Sequence, residues 1–230
     1  MITAEQKPLQ EILGYIAPYE KILVVGCNEC VTVCAAGGRK EVGLLSSAIR
    51  LNSAKEGKKI EVLEHTLERQ CDPEYVAQLE DLAGQVDAIV SLACGCGIQT
   101  VAVNYAIPVF PGVNTKFMGA SESQGIWAER CMGCGDCMLG ITGGICPIAR
   151  CSKSIMNGPC GGSVNGKCEI SPDVDCAWQL IWNRLVELGM QDRYEELVAA
   201  KDWRPAGGGG PRKIIREDLA SSKIITEDNA

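Results

Sequence analysis

The distribution of cysteine constrains the fold of this chain more than any other feature. Fourteen of the 230 residues are cysteine, against a single histidine, His65. They fall into two groups, between residues 27 and 96 and between residues 131 and 176. Disulfide-rich secreted domains are usually short and carry an export signal, which the amino-terminal sequence MITAEQKPLQ does not resemble. We therefore expect a cytoplasmic protein whose clustered thiols bind metal.

Composition narrows the classes of function. The net charge of -7 and the pI near 4.9 give little attraction for phosphate backbones, so we expect no nucleic-acid partner. No apolar stretch approaches the length of a membrane span, so we expect no membrane insertion. The sequence has no G-x-G-x-x-G after a predicted strand, no phosphate-binding P-loop and no nucleophile paired with a histidine base. We predict no catalytic residue in this chain.

The first part of the chain has the pattern of an α/β domain. Short apolar runs alternate with helical stretches, as is typical of parallel strands joined by crossover helices. We predict a small doubly wound parallel sheet within residues 1–115, preceded by a helix before Pro18. The predicted strands are 21–26, 60–65, 86–93 and about 107–110, and the predicted helices are 39–55, 73–83 with Asp72 as a cap, and a short one from residue 98.

Six cysteines follow three of these strands, at the edge where parallel sheets build their binding sites. Cys27, Cys30 and Cys34 follow the first strand, Cys71 the second, and Cys94 and Cys96 the third. A set made of Cys27, Cys30, Cys34 and one of Cys94 or Cys96 can hold a third 4Fe-4S cluster, or zinc. The spacing favours a cluster, but the sequence leaves both metals open.

Residues 116–200 are predicted to form an irregular, cysteine-rich iron-sulfur domain. Residues 111–130 are expected to be a connector with little apolar periodicity. The following segment has too few aliphatic residues to build its own core, so metal is expected to substitute for one. An amphipathic helix is predicted from Asp173 to Gly189, with Asp173 as its cap and Trp182 on its apolar face. Residues 201–230 are predicted to be an extended tail, either a flexible end or an arm that orders on a partner.

The second group of cysteines has the spacing of an iron-sulfur motif. CMGCGDC places two residues between neighbouring cysteines, which is the start of the bacterial ferredoxin run. Three thiolates at this spacing suit a cubane better than one tetrahedral zinc ion, although zinc remains the competing interpretation. The full set is eight, the number that two 4Fe-4S clusters require: Cys131, Cys134, Cys137, Cys146, Cys151, Cys160, Cys168 and Cys176.

The run CMGCGDCMLGITGGICPIARCSKSIMNGPCGGSVNGKCEI, followed by DCAWQLIWNRL, resembles the carboxyl-terminal domain of methylenetetrahydrofolate reductase proteins. With its front domain, the chain is similar from about Cys27 to Trp203 to the MetV family, the small iron-sulfur subunits of acetogen-type methylenetetrahydrofolate reductases. This resemblance places the family's cysteine motif on the eight cysteines from Cys131 to Cys176. It also implies that the tail extends toward a neighbouring subunit.

The same resemblance implies a partner and a reaction. The partner is the larger, flavin-containing MetF subunit, which reduces methylene-tetrahydrofolate to methyl-tetrahydrofolate in the Wood-Ljungdahl pathway. The chain would relay electrons to that flavin from ferredoxin or another upstream donor. Two alternatives stay open: a structural zinc-binding subunit that shapes the partner's active site, and a separate redox or corrinoid-linked enzyme.

Overall fold

The structure is a computed structural model, and it describes residues 1–207, 210–216 and 218–219. It divides into two compact units, Met1–Arg130 and a second unit that starts at Cys131. The elements of the first unit, in chain order, are β1 (Ile2–Gln6), α1 (Leu9–Ile16), β2 (Lys21–Cys27), α2 (Cys30–Val33), α3 (Arg39–Lys55), β3 (Glu61–Leu67), α4 (Pro73–Val76), α5 (Glu80–Ala83), β4 (Ala88–Ser91), α6 (Gly95–Asn104), β5 (Val109–Pro111), β6 (Val113–Ser123) and β7 (Ile126–Cys131).

A four-stranded parallel sheet forms the centre of the first unit. Its order is β3-β2-β4-β5, and every neighbouring pair is parallel. Side chains of β2 alternate between two hydrophobic clusters, with Ile22 and Val24 in one and Leu23 and Val25 in the other. Both faces of the sheet are therefore covered, which explains why its central strands read as continuous apolar runs. The predicted α/β domain with a parallel sheet is confirmed.

Helices pack on the two faces of this sheet. Helices α1 and α3 contribute Ile12 and Ile49 to one cluster, while Val76 of α4 and Val101 of α6 belong to the other. Helix α3 has the bounds that its sequence pattern predicts. The predicted helix 73–83 is instead divided into α4, a 3-10 turn at Ala77–Leu79 and α5.

Two predicted starts of helices have different outcomes. The Asp72 side chain accepts a hydrogen bond from the backbone N–H of Glu74 at 3.2 Å, which confirms the predicted cap of α4. Helix α6 begins at Gly95 rather than near Ile98, because the chain turns into the helix directly after Cys94.

The prediction of a connector over residues 111–130 is wrong. This segment forms β6 and β7, and β6 pairs antiparallel with β1 in a second sheet of order β1-β6-β7. The predicted domain boundary at residue 115 lies inside β6, and the first compact unit continues to Arg130. Most side chains of β6 are exposed or half-buried, so the strand lacks the apolar alternation by which sequence patterns are recognised.

The second unit has short elements and a small hydrophobic core. Its elements are α7 (Pro147–Arg150), β8 (Lys167–Cys168), β9 (Ser171–Asp175), α8 (Ala177–Glu187) and a 3-10 turn (Gln191–Glu195). Trp178, Ile181 and Leu185 of α8 form its buried cluster. Helix α8 starts after Cys176, so the predicted cap at Asp173 is wrong, because Asp173 lies within strand β9. Trp182 is 39% exposed and makes an edge contact with Tyr194.

Among the described residues, none of the helices combines the length and the apolar character that crossing a bilayer requires.

The predicted tail covers residues 201–230. Of these, residues 208, 209, 217 and 220–230 lie outside the described residues.

Candidate metal centres

All fourteen cysteines have free thiols, and both groups predicted from the sequence lie among the described residues. In this described part of the chain, no three histidine, cysteine or carboxylate side chains converge tightly enough to enclose a metal ion.

In the first unit, cysteines occupy the carboxyl edge of the parallel sheet. Cys27 is the last residue of β2, Cys71 lies in the loop after β3, and Cys94 and Cys96 lie at the start of α6, directly after β4. Strand β2 is flanked by β3 on one side and β4 on the other, so the order of strand addition reverses between β2 and β4. Sheets of this kind bind their ligands outside such a reversal. Cys27 ends β2 and Cys94 follows β4, so these two cysteines lie on either side of the reversal.

The thiols of these loops share one electrostatic environment. Burial raises the pKa of the Cys27 thiol, and the neighbouring thiols of Cys71 and Cys94 raise it further. Burial also raises the pKa of Cys96, and so do the adjacent thiols of Cys94 and Cys71. Negative charge on Cys71 or Cys94 therefore disfavours deprotonation of Cys27 and Cys96, which is the repulsion that a bound cation relieves.

The other two cysteines of this unit are placed differently. Cys34 is 7% exposed, and its Sγ lies 3.4 Å from the backbone nitrogen of Ala4 and 3.5 Å from the Ala4 oxygen in β1. It is therefore part of the hydrophobic cluster between the sheet and β1. Cys30 begins α2 and is half-buried. The sequence-predicted set contained Cys30 and Cys34 and lacked Cys71, although the position of Cys71 after a predicted strand was a usable signal.

In the second unit, the loop after β7 holds the first three cysteines of the motif. Cys131 ends β7, and its Sγ accepts a hydrogen bond from the backbone N–H of Gly133 at 3.3 Å. The Cys134 thiol lies 3.5 Å from the backbone oxygen of Asp136. Cys131 and Cys137 are exposed and Cys134 is half-buried. The backbone thus provides one hydrogen-bond donor, the Gly133 N–H, to the sulfur of a predicted ligand, Cys131.

The carboxyl-terminal segment covers this loop. The Lys201 ammonium group donates to the backbone oxygen of Asp136 at 2.8 Å and lies 3.2 Å from its carboxylate. Arg212 donates to the backbone oxygen of Gly133 at 2.7 Å. A Cβ atom at Gly135 would lie only 2.5 Å from the Cβ of Pro205, so glycine permits the close approach of the two segments. The described part of the tail is packed against the loop.

Three of the remaining five cysteines lie near the amino terminus of α8. Cys146 and Cys151 flank α7, and Cys151 packs with Cys176 against the buried face of α8. The Cys168 Sγ lies 3.5 Å from the hydroxyl of Ser152, the residue after Cys151. Cys160 is exposed and follows Pro159 in the preceding loop. The structure thus brings Cys151, Cys168 and Cys176 toward the same end of the helix.

Hydrogen bonding favours the thiolate at Cys168. The Ser152 hydroxyl lowers the pKa of Cys168, and backbone groups of Ile170 and Ser171 add to the effect. Because the thiolate is the form that binds metal, this environment suits a ligand. The eight cysteines of the second unit therefore fit an all-thiolate metal group: they are free, exposed or half-buried, and Cys131 and Cys168 lie beside hydrogen-bond donors.

Comparison with known proteins gives one match. Residues 110–204 match the model of a family described as "Methylene-tetrahydrofolate reductase C terminal". The matched segment includes all eight cysteines of the second unit and none of the six in the first. No curated protein and no solved structure matches the chain. The chain is thus similar to this reductase-associated family from β5 through α8 and into the tail.

Proposed function

We propose that this chain is the iron-sulfur electron-transfer subunit of a methylenetetrahydrofolate reductase complex. The observation that carries the proposal is the coincidence of two features in one segment. Residues 110–204 are similar to the reductase carboxyl-terminal family, and the same segment contains eight free cysteines in a small unit with little hydrophobic core. A unit of this kind needs a metal group to hold its loops together.

In this proposal the ligands are the cysteines of the second unit, and they hold two 4Fe-4S clusters of four ligands each. When bound, such clusters supply one-electron oxidation and reduction. The chain's own residues position and shield the sites. The Gly133 N–H donates to the sulfur of Cys131, and Lys201 and Arg212 hold the surrounding loop. The indole N–H of Trp178 donates to the Ile155 oxygen at 2.9 Å, which ties the loop before Cys160 to α8.

The partner in this proposal is the flavin-containing MetF reductase subunit. That subunit would bind the folate and reduce methylene-tetrahydrofolate to methyl-tetrahydrofolate, while this chain would deliver electrons to its flavin from ferredoxin or another upstream subunit. The sequence resemblance and the family description support this assignment. It follows that loss of a cluster should slow electron entry without removing the partner's folate site.

The test starts with metal analysis of protein purified without oxygen. The proposal predicts at least about eight iron and eight sulfide per chain, with reduced-state EPR signals of 4Fe-4S clusters. Replacing Cys134 with serine should remove about four of these irons, the content of one cubane. Stoichiometric zinc with little iron would contradict the proposal and favour the structural zinc subunit instead.

A second measurement tests the relay itself. The chain is mixed with the flavin-containing reductase subunit and an electron donor, and flavin bleaching is followed by stopped-flow absorbance. Cys134→Ser should slow flavin reduction strongly, while reduction of the same flavin by dithionite stays unchanged. Equal rates for the wild type and the variant would argue against electron transfer through this chain.

A further inference from the structure

A buried glutamine connects the three cysteine loops of the first unit. Gln70 is fully buried, and its side-chain amide donates to the backbone oxygens of Val25 and Gly26 at 3.1 and 2.9 Å. Its side-chain oxygen accepts a hydrogen bond from Ser91 at 2.6 Å. The Ser91 hydroxyl in turn accepts from the backbone N–H of Ala93 at 3.2 Å. These bonds join the ends of β2 and β4 to the loop after β3.

Each end of this network lies next to a cysteine. Gly26 precedes Cys27, Gln70 precedes Cys71, and Ala93 precedes Cys94. The first turn of α6 is held against the same glutamine, because a Cβ at Gly97 would lie 2.9 Å from the Cβ of Gln70. That turn contains Cys96. A single buried side chain thus fixes the relative positions of the backbone segments that present four thiols.

The burial and contacts of these thiols fit a ligand set. The Cys27 Sγ lies 3.9 Å from the backbone oxygen of Glu68, in the loop between β3 and Cys71. Cys27 is buried and Cys94 is half-buried, whereas Cys71 and Cys96 are exposed. The group is therefore anchored in the protein at Cys27 and accessible to an incoming metal at Cys71 and Cys96. Cys34 is committed to contacts with Ala4 and Val31 and is directed to β1.

We propose that Cys27, Cys71, Cys94 and Cys96 form a separate four-thiolate site at the reversal of the parallel sheet, and that this site binds an iron-sulfur cluster. Thiolate donors select soft metal groups. The site goes beyond the function proposed above, which uses the cysteines of the second unit; only the choice of iron over zinc rests on that function.

The test compares single substitutions in the full chain, purified without oxygen and analysed for iron, zinc and EPR signal. Cys71→Ser should lower iron by about four per chain, the content of one cubane, and remove one EPR component. Cys30→Ser and Cys34→Ala are the controls, and both should keep the wild-type iron content. Far-UV circular dichroism and thermal melting show whether each variant is folded.

The outcomes separate this site from the function proposed for the second unit. Loss of iron in Cys30→Ser or Cys34→Ala, with iron retained in Cys71→Ser, would overturn the ligand set. Loss of zinc rather than iron in Cys71→Ser would overturn the cluster. About eight iron in the wild type, all retained in Cys71→Ser but reduced in Cys134→Ser, would refute the front site and leave the proposed function standing. Absence of iron from every variant and from the wild type would refute both.

Discussion

At the scale of single residues, Gln70 shows how one buried polar side chain organises a large part of a site. It joins three loops that are far apart in sequence, because its amide can donate two hydrogen bonds and its oxygen can accept another. Buried polar groups destabilise a fold unless they are hydrogen-bonded. The intact network therefore contributes more to stability than the sum of its separate hydrogen bonds.

We predict that Gln70→Leu destabilises the protein by about 2 to 4 kcal/mol, since the change leaves Ser91 and a backbone oxygen buried without their partner. The free energy of unfolding is measured by urea denaturation followed by circular dichroism. The control is Gln85→Leu, because Gln85 is exposed and its amide also donates to a backbone oxygen, that of Asp81. Similar losses in both variants would contradict the role given to Gln70.

A second residue-scale prediction concerns pH. Lys7, which precedes α1, and Tyr15, which lies in it, both hydrogen-bond to Glu11 of the same helix and lower the pKa of its carboxyl group. A carboxyl whose pKa is lower in the folded state stabilises the fold above its unfolded pKa, and this stabilisation is lost as the pH falls through the folded value.

Lys7→Met should therefore raise the pKa of Glu11 toward the ordinary value of glutamate, so that protonation on acidification starts at a higher pH. An NMR titration of the Glu11 side-chain carboxyl carbon at low salt measures the shift. Lys59→Met serves as a control with the same loss of charge, and it should leave the Glu11 titration unchanged. An unchanged midpoint in Lys7→Met would mean that the ion pair does not determine this pKa.

At the scale of elements, the carboxyl-terminal segment packs against the loop after β7 and holds it in place. The buried side chain of Lys201, which is 4% exposed, and the guanidinium group of Arg212 both bond to backbone oxygens of this loop. Because the loop has no regular hydrogen-bonded structure of its own, these contacts limit how far it can open. The tail was predicted to be either a flexible end or an arm that orders on a partner. Its described residues pack against a loop of the same chain.

Deleting everything after residue 200 should expose the loop and speed the loss of iron to a chelator several-fold. The matched control ends after Arg216, which keeps the contacts of Lys201 and Arg212. Iron release is followed anaerobically by the absorbance of its complex with bathophenanthroline. Equal release rates for the two truncations would show that the described tail does not protect the loop.

At the scale of the whole molecule, the two units differ in how they are stabilised. The first has two clusters of aliphatic side chains on the faces of a parallel sheet. The second has, over its described residues, one small cluster built on Trp178, Ile181 and Leu185. Hydrophobic burial is proportional to apolar area, so the second unit depends more on its proposed metal groups.

Removal of metal should therefore destabilise the second unit selectively. Hydrogen exchange of the chelated protein should retain slow amides in β2 and β4, whereas amides of α8 should exchange much faster than in the metal-loaded protein. The loaded protein carried through the same buffers is the control. Uniform acceleration in both units, or no change in α8, would contradict a metal-dependent second unit.

The sequence by itself determined the features that depend on local patterns. The apolar run from Ile22 to Val25 predicted a buried parallel strand, Asp72 and Pro73 predicted the start of a helix, and the many cysteines with few aliphatic residues after Cys131 predicted an irregular, cysteine-rich unit. Each of these signals lies within a few residues, and local sterics and hydrogen bonding act over the same range.

Only the tertiary structure decided the features that depend on distant partners. Strand β6 has few apolar residues, and its pairing with β1 connects segments more than a hundred residues apart. Cys34 and Cys71 both follow predicted strands, yet one packs under β1 and the other lies beside Cys27 and Cys94. The direction of a thiol depends on which backbone segments pack around it, and in the first unit the buried hydrogen bonds of Gln70 fix those segments.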